Sequence, residues 1–175
     1  CALPIYFTSA CAGMIYNDDL LFGGGSEEHA FTCEPFHNLV QHNVLTDVGV
    51  SFAFHRAKGE ETRDFFTSED RWCRPVMVRD GPDGALYAAD WITGWDTKDY
   101  GRVWCIDVAE GRNDLAAERK ATQEYLNLDY GKATANQLAG LLAWSDQRIR
   151  LKAQFELSRR GMDGLKAFKS AAKNG

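Results

Sequence analysis

The stretch that decides the fold reads Val76-Met77-Val78-Arg79-Asp80-Gly81-Pro82-Asp83-Gly84-Ala85-Leu86-Tyr87-Ala88-Ala89-Asp90-Trp91. In it, two short apolar segments flank a Gly-Pro-Asp-Gly turn. Pro82 presets the backbone φ early in such a turn, and Gly84 supplies the positive φ that a β-branched residue avoids. The stretch therefore predicts a β-hairpin.

Short apolar segments and glycine turns continue on both sides of this hairpin, with no long helical period between residues 12 and 108. Short, regularly spaced strands with recurring glycine and aromatic residues are typical of a β-propeller, whose blades take about 40–45 residues each. The region is long enough for only about two and a half blades, whereas a ring needs at least about four. We therefore predict a partial propeller made of its last two to three blades, with strands at 29–34, 38–44, 50–56, 75–79, 85–90 and 101–107.

The remainder of the chain has helical spacing. Thr134 and Gln137 form the pattern of a capping box at a helix start. Asp146 is placed to begin the next helix, which carries apolar residues on two opposite faces: Ile149, Ala153 and Leu157 on one, Leu151 and Phe155 on the other. A helix that is apolar on two faces is typically packed between neighbours.

Residues 146–157 resemble the second helix of a HEAT-type repeat, and we expect Gly161 and Gly164 to end it before a further helix at 165–172. The predicted fold class is thus mainly β then α, a partial β-propeller followed by α-helical HEAT-like hairpins. Solenoid units of this kind need about three repeats for stability.

Charge is distributed unevenly along the chain of 175 residues, whose net charge is −5. Residues 1–111 hold 8 Lys/Arg and 18 Asp/Glu, whereas residues 112–175 hold 12 and 7. The step predicts a domain boundary near Gly111, with 6–110 as the propeller part and 111–175 as the helical part. The acidic balance argues against a nucleic-acid partner, and no apolar run approaches the roughly 20 residues of a membrane span.

Residues 1–5 resemble the translated end of a sequencing adapter, and we interpret them as a scar in front of the natural chain. The five cysteines show no CxxC spacing and no c-type haem motif. Buried free thiols are the ordinary interpretation, and a Cys11–Cys33 disulfide in an oxidising compartment is the alternative.

Three stretches together resemble a known family: residues 65–91, residues 31–40 and residues 101–106. They are similar to the planctomycete and verrucomicrobial proteins called membrane-bound dehydrogenases, whose propeller is similar to glucose/sorbosone dehydrogenases that use pyrroloquinoline quinone (PQQ). Met77, Cys73 and Cys105 depart from the family pattern. The likeness covers about residues 12–108, and helical repeats follow the propeller in that family too.

The resemblance implies cofactor-binding roles for Arg74, His37 and Asn38. Arg74 corresponds to an arginine that points toward the quinone, and a guanidinium suits that task because it offers a rigid fork of donors to carboxylate and carbonyl oxygens. The structural alternative for Arg74 is a salt bridge to Asp90 or Asp70. His37 and Asn38 stand at an equivalent strand start, where a surface or core histidine is the alternative.

Other candidate residues are interpreted as structural. Three aspartates could suggest a Ca²⁺ site but lack a metal-loop spacing, two histidines have no visible partner, and two tryptophans suit packing between blades. Four arginines of the helical part suit a solvated face or an inter-repeat ladder. These residues are Asp80, Asp83 and Asp90; His42 and His55; Trp91 and Trp95; and Arg148, Arg150, Arg159 and Arg160.

The expected function is that of a fragment, inactive alone, of a periplasmic or secreted quinoprotein-type dehydrogenase. The resemblance implies PQQ with Ca²⁺ in the full-length protein, a sugar or other polyol as substrate, and a redox partner through a downstream haem domain. The alternative is a non-catalytic propeller–HEAT scaffold that binds polysaccharide or protein. A lactonase-like metal propeller would need Glu, Asn and Asp ligands converging on the axis, and the sequence shows no such set.

Overall fold

A computed structural model describes residues 8–18, 20–23, 27–92, 101–109 and 115–174. Its first sheet contains β1 (Cys11–Ile15), β2 (Glu28–Glu34), β3 (Leu39–Val48), β4 (Ser51–Arg56) and the short β5 (Phe66–Thr67). The second contains β6 (Pro75–Asp80), β7 (Leu86–Asp90) and β8 (Arg102–Ile106). Four helices follow: α1 (Ala116–Leu126), α2 (Ala135–Leu141), α3 (Gln147–Arg159) and α4 (Met162–Asn174).

Both sheets are antiparallel and, over the described residues, open. The first runs in the order β1-β2-β3-β4 with β5 paired to β3, and the second runs β6-β7-β8. The predicted class of β then α is therefore confirmed. A four-strand meander beside a three-strand meander is compatible with part of a propeller.

Turn chemistry explains where these strands end. Gly81 N donates to Ala85 O at 2.8 Å, and Gly84 takes a φ of +79°, so the predicted hairpin joins β6 to β7. Gly49, with a φ of +63°, and Val50 form a two-residue turn between β3 and β4. β1, β5 and a 3-10 turn at Leu20–Phe22 are present without having been predicted.

The described residues divide into two compact units. The first comprises those within Cys1–Tyr16, Gly25–Gly81 and Ala85–Ala109, and the second those within Asn17–Gly24, Pro82–Gly84 and Glu110–Gly175. The predicted scar at 1–5 and the junction at 110–114 lie outside the described residues.

The first unit holds the sheets. Its β6 strand packs against both β1 and β2, and its apolar core comes from the strands and from the turns next to them. The fully buried members are Phe31, Cys33, Val40, Cys73, Val78, Ala85, Leu86 and Ala88.

The second unit holds the helices. As predicted, Thr134 and Gln137 form a complete capping box at α2, and Asp146 caps α3 by accepting from Arg148 N and Ile149 N. The helical core consists of Ala133, Leu138, Leu141, Ile149, Ala153, Leu157 and Ala167.

Two predictions for the helices were wrong. Leu151 and Phe155, expected to be covered, are 39% and 63% exposed, so in the described part of the chain α3 buries only one face. Gly164 does not end a helix: Gly161, with a φ of +58°, separates α3 from α4, and Gly164 lies inside α4. A Cβ at Gly164 would lie 1.8 Å from Leu157 O, so this glycine permits close contact between the two helices.

Candidate functional site

Arg74 and Asn38, two of the three predicted site residues, lie together. Arg74 directly precedes β6 and Asn38 directly precedes β3, and Arg74 Nη1 donates to Asn38 Oδ1. The same Nη1 donates to Cys73 O at 3.2 Å. Asn38 has a φ of +59°, the left-handed conformation that asparagine tolerates better than most residues. The β2–β3 turn therefore presents an amide to the guanidinium.

Asp90 fixes the backbone that carries Arg74. Its Oδ1 accepts from Arg74 N at 2.7 Å and from Ile92 N at 2.9 Å, while Trp91 N donates to Arg74 O at 3.0 Å. The Asp90 side chain lies in the protein interior, where a carboxylate needs several donors. These bonds hold the start of β6 against the end of β7.

The second carboxylate oxygen of Asp90 also accepts two hydrogen bonds. Its Oδ2 accepts from Arg102 Nε and from Trp104 Nε1, each at 2.9 Å. Burial by itself would raise the pKa of Asp90, but the hydrogen bonds and the Arg102 charge outweigh burial and hold that pKa below its ordinary value. Asp90 is therefore an ionised structural carboxylate.

Arg102 is the cation that pairs with the aspartates. Its guanidinium bonds Asp70 Oδ2 at 2.6 Å as well as Asp90, and it lies 5.0 Å from the centre of the Trp104 ring. The structural alternative for Arg74, a salt bridge to Asp90 or Asp70, was wrong because Arg102 occupies both carboxylates. Among the described residues, no carboxylate lies within ion-pair distance of the Arg74 guanidinium.

His37, the third predicted site residue, is directed elsewhere. Its side chain is 40% exposed, with Nδ1 3.6 Å from Glu34 Oε1 and the ring edge-on to Phe36. Glu34 is buried and accepts from Ser9 N at 3.0 Å and Thr8 Oγ1 at 3.2 Å. The structure therefore places His37 next to Asn38 in the chain but gives it different partners.

Sequence reasoning missed a buried chain of two histidines and a glutamate. His29 Nδ1 and His42 Nε2 are 2.9 Å apart, and His42 Nδ1 lies 3.2 Å from Glu60 Oε1. Phe31 stacks on His42 at 4.7 Å between ring centres. The expectation that His42 has no partner was wrong, whereas His55 is exposed on β4. The register of β2 and β3 could have revealed the pair, because His42 stands opposite Phe31 and diagonal to His29.

Among the remaining candidates, Asp83 has a structural partner. Asp83 O accepts from Arg119 Nε at 3.0 Å, Trp91 is partly exposed, and Trp95 lies outside the described residues. Across the described ranges, no group of three or more His, Cys, Asp or Glu side chains could hold a metal ion. No described helix is both long and apolar enough to cross a membrane.

Comparison with known proteins identifies one sequence family. Residues 4–116, well over half of the chain, match a family described as a domain of unknown function, DUF7133. The chain belongs to this family. No curated protein and no solved structure matches it. The match includes both sheets and the Arg74–Asn38 pair, so the candidate site lies within the DUF7133 region.

Proposed function

We propose that this DUF7133 chain is part of a quinoprotein-type dehydrogenase propeller that binds PQQ and oxidises a sugar or other polyol. The proposal rests on one observation: the Arg74 guanidinium has no carboxylate partner among the described residues, although the Asp90 carboxylate accepts from its main-chain N. A half-buried guanidinium without a carboxylate partner is suited to binding an anionic ligand. PQQ carries carboxylates beside its quinone carbonyls, and a guanidinium fork can bind either group.

The neighbouring residues fit such a ligand. Asn38 holds one arm of Arg74, and no other described residue bonds its Nε or Nη2 group. Asp90 fixes the main chain from which the side chain extends. A positioned guanidinium loses less conformational entropy on binding than a mobile one. Arg74 would therefore bind and orient the quinone, which supplies the hydride-accepting chemistry when bound. No Ca²⁺ ligand is assigned, since the described residues contain no candidate ligand set.

The proposal includes a longer parent protein in the periplasm or outside the cell. Earlier blades would supply the general base, and a haem domain would take the electrons. We also propose that the helices after the sheets are the start of HEAT-like repeats, which follow the propeller in the parent protein.

PQQ binding to the chain tests this function. Titration followed by tryptophan fluorescence should show saturable binding, and Arg74→Ala should weaken it about 10–100-fold, the value of a charge-assisted hydrogen-bond pair. Asn38→Gly, which keeps the positive φ but removes the amide, should cause a smaller loss. Arg71→Ala is the matched control, because Arg71 is an exposed arginine of the same segment.

Two results would overturn the proposal: no PQQ binding by the chain, or equal binding by Arg74→Ala and the unsubstituted protein. In the parent protein reconstituted with PQQ and Ca²⁺, sugar-dependent reduction of an acceptor dye should fall with Arg74→Ala and not with Arg71→Ala.

A non-catalytic scaffold that binds polysaccharide or protein is the second candidate. One observation favours it: the edge strand β4 exposes Phe52 and Phe54, which are 53% and 64% accessible. Exposed apolar surface of this kind is common at interaction sites. Oligosaccharide binding that is lost in a Phe52→Ser, Phe54→Ser variant and kept in Arg74→Ala would support the scaffold function.

A further inference from the structure

Cys11 and Cys33 stand directly opposite each other on β1 and β2. Opposed Cα atoms of an antiparallel pair are about 4.5 or 5.5 Å apart, depending on the type of pair. Both spacings fall within the range of about 4.4–6.8 Å that disulfides span. Opposed residues also direct their side chains to the same face of the sheet. The backbone therefore meets the requirement for a cross-strand disulfide.

The surroundings of the two thiols place them on the inner face. Cys33 is fully buried, and Cys11 Sγ lies 3.5 Å from Val76 O of β6, which packs against these strands. Both cysteines are free thiols in this structure. A thiol is a weak hydrogen-bond donor, so little is lost when the Cys11 sulfur turns from Val76 O toward Cys33.

A β-bulge gives Cys11 room to adjust. The pairing shifts between Cys11 and Met14, so that Ala12 and Gly13 together oppose Thr32, and Ala12 takes a φ of +47°. Bulges reorient side chains and interrupt regular pairing. Cys11 is also the first residue of β1, where few ladder bonds constrain it.

The other described cysteines do not share this arrangement. Cys73 lies in the turn before β6, and Cys105 is exposed on β8 opposite Tyr87. Of the four cysteines that the structure describes, only Cys11 and Cys33 are cross-strand partners.

We propose that Cys11 and Cys33 form a disulfide that joins β1 to β2 when the chain meets a small-molecule disulfide oxidant such as oxidised glutathione. The more accessible Cys11 thiolate attacks the oxidant and displaces one glutathione thiolate. The Cys33 thiolate then attacks the Cys11 sulfur of the mixed disulfide and displaces the second. The two cysteines lose two protons and two electrons, and one glutathione disulfide becomes two glutathione thiols.

Burial of the two thiols determines at which stage this exchange can occur. Burial, followed by the nearby Cys11 thiol, raises the pKa of Cys33 to about 12, and burial and the Glu34 charge raise the pKa of Cys11. Only the thiolate reacts, so exchange in the folded protein is slow at neutral pH. The disulfide therefore forms during folding, when the strands are still accessible.

The test is refolding in a glutathione redox buffer at pH 8.5, compared with refolding in dithiothreitol, in a Cys1→Ser background. After alkylation and cleavage at acidic residues, the oxidised sample should contain residues 29–34 linked to the peptide that carries Cys11, with a mass two hydrogens below the sum of the reduced peptides. The oxidised protein should melt about 5–10 °C higher than the reduced one, as expected for a closed loop of about 20 residues.

Matched variants separate this disulfide from other thiol chemistry. Cys11→Ser and Cys11→Ala should abolish the linked peptide and the shift in melting temperature, and Cys105→Ser should retain both. The half-buried Cys11 is substituted rather than Cys33 because it tolerates the change better. Full alkylation of both cysteines after oxidative refolding, or linkage only to Cys73 or Cys105, would overturn the proposal.

Discussion

At the scale of single residues, Asp90 ties three segments of the first unit together. Its two oxygens accept four hydrogen bonds, from two main-chain amides, Arg102 and Trp104. Because the folded-state pKa of Asp90 is lowered, its contribution to stability is fully present above the unfolded pKa of about 4. The contribution is lost as pH falls through the lower folded-state pKa.

Asp90→Asn should lower the free energy of unfolding at pH 7 by about 3 kcal/mol, because the amide has one acceptor oxygen in place of two and leaves donors around this buried position unpaired. The difference between variant and parent should shrink below about pH 4. Urea unfolding between pH 2.5 and 7 measures both effects, with the exposed Glu69→Gln as control. A variant as stable as the parent at pH 7 would show that Asp90 is not structural.

Gly164 provides a second prediction at this scale. A methyl group there meets Leu157 O at 1.8 Å, so Gly164→Ala should force α3 and α4 apart and destabilise the helical unit by about 1–3 kcal/mol. Gly140→Ala is the matched control: nothing lies within 4 Å of its added Cβ, and alanine should stabilise α2 by about 0.5–1 kcal/mol. Thermal unfolding followed by helical circular dichroism distinguishes them, and equal melting temperatures would contradict the close contact.

At the scale of elements, local signals predicted structure well and long-range contacts did not follow from the sequence. The Gly-Pro-Asp-Gly turn and the Thr134 capping box act within about four residues, so their chemistry is visible in the chain itself. β5 has two residues, too few for a periodic pattern, and forms because β3 offers it a partner.

In the candidate site, too, the contacts between distant residues did not follow from the sequence. Arg74 and Asn38 were identified through a resemblance, but their contact joins residues far apart in sequence. The choice of Arg102 over Arg74 as partner of Asp90 depends on the β7–β8 register, which sets Asp90 opposite Arg102. The His29–His42–Glu60 chain likewise requires the register of β2 and β3 and the position of the loop after β4.

The capping box at Thr134 allows a prediction about the stability of α2. Its Oγ1 accepts from Gln137 N at 3.2 Å, and Gln137 Oε1 accepts from Thr134 N at 2.8 Å. Thr134→Ala should lower the free energy of unfolding of the helical unit by about 1 kcal/mol, whereas Thr134→Ser keeps the oxygen and should cost much less. Chemical denaturation followed by circular dichroism measures this. Equal losses in both variants would mean that the methyl group, and not the cap, stabilises α2.

At the scale of the whole molecule, the helices share a compact unit with segments from earlier in the chain. The helical unit also includes the described residues of Asn17–Gly24 and of Pro82–Gly84. Asn17 O accepts from Gln147 N at 2.8 Å, at the start of α3. Asp83 O accepts from Arg119 Nε and Nη2, at 3.0 and 2.9 Å, on α1. Residues distant in sequence therefore complete the helical unit.

A chain of residues 112–175 alone should consequently be less stable than the same helices in the full chain. It lacks the carbonyl partner of the buried Arg119 and the acceptor for Gln147 N, and each lost intramolecular hydrogen bond costs about 0.5–1.5 kcal/mol. Hydrogen–deuterium exchange should show at least tenfold faster exchange in α1 and at the start of α3 of the short chain. Arg119→Ala in the full chain should accelerate exchange in α1, whereas the exposed Arg159→Ala should not. Equal protection of α1 in the short and full chains would show that residues 112–175 fold as an independent domain.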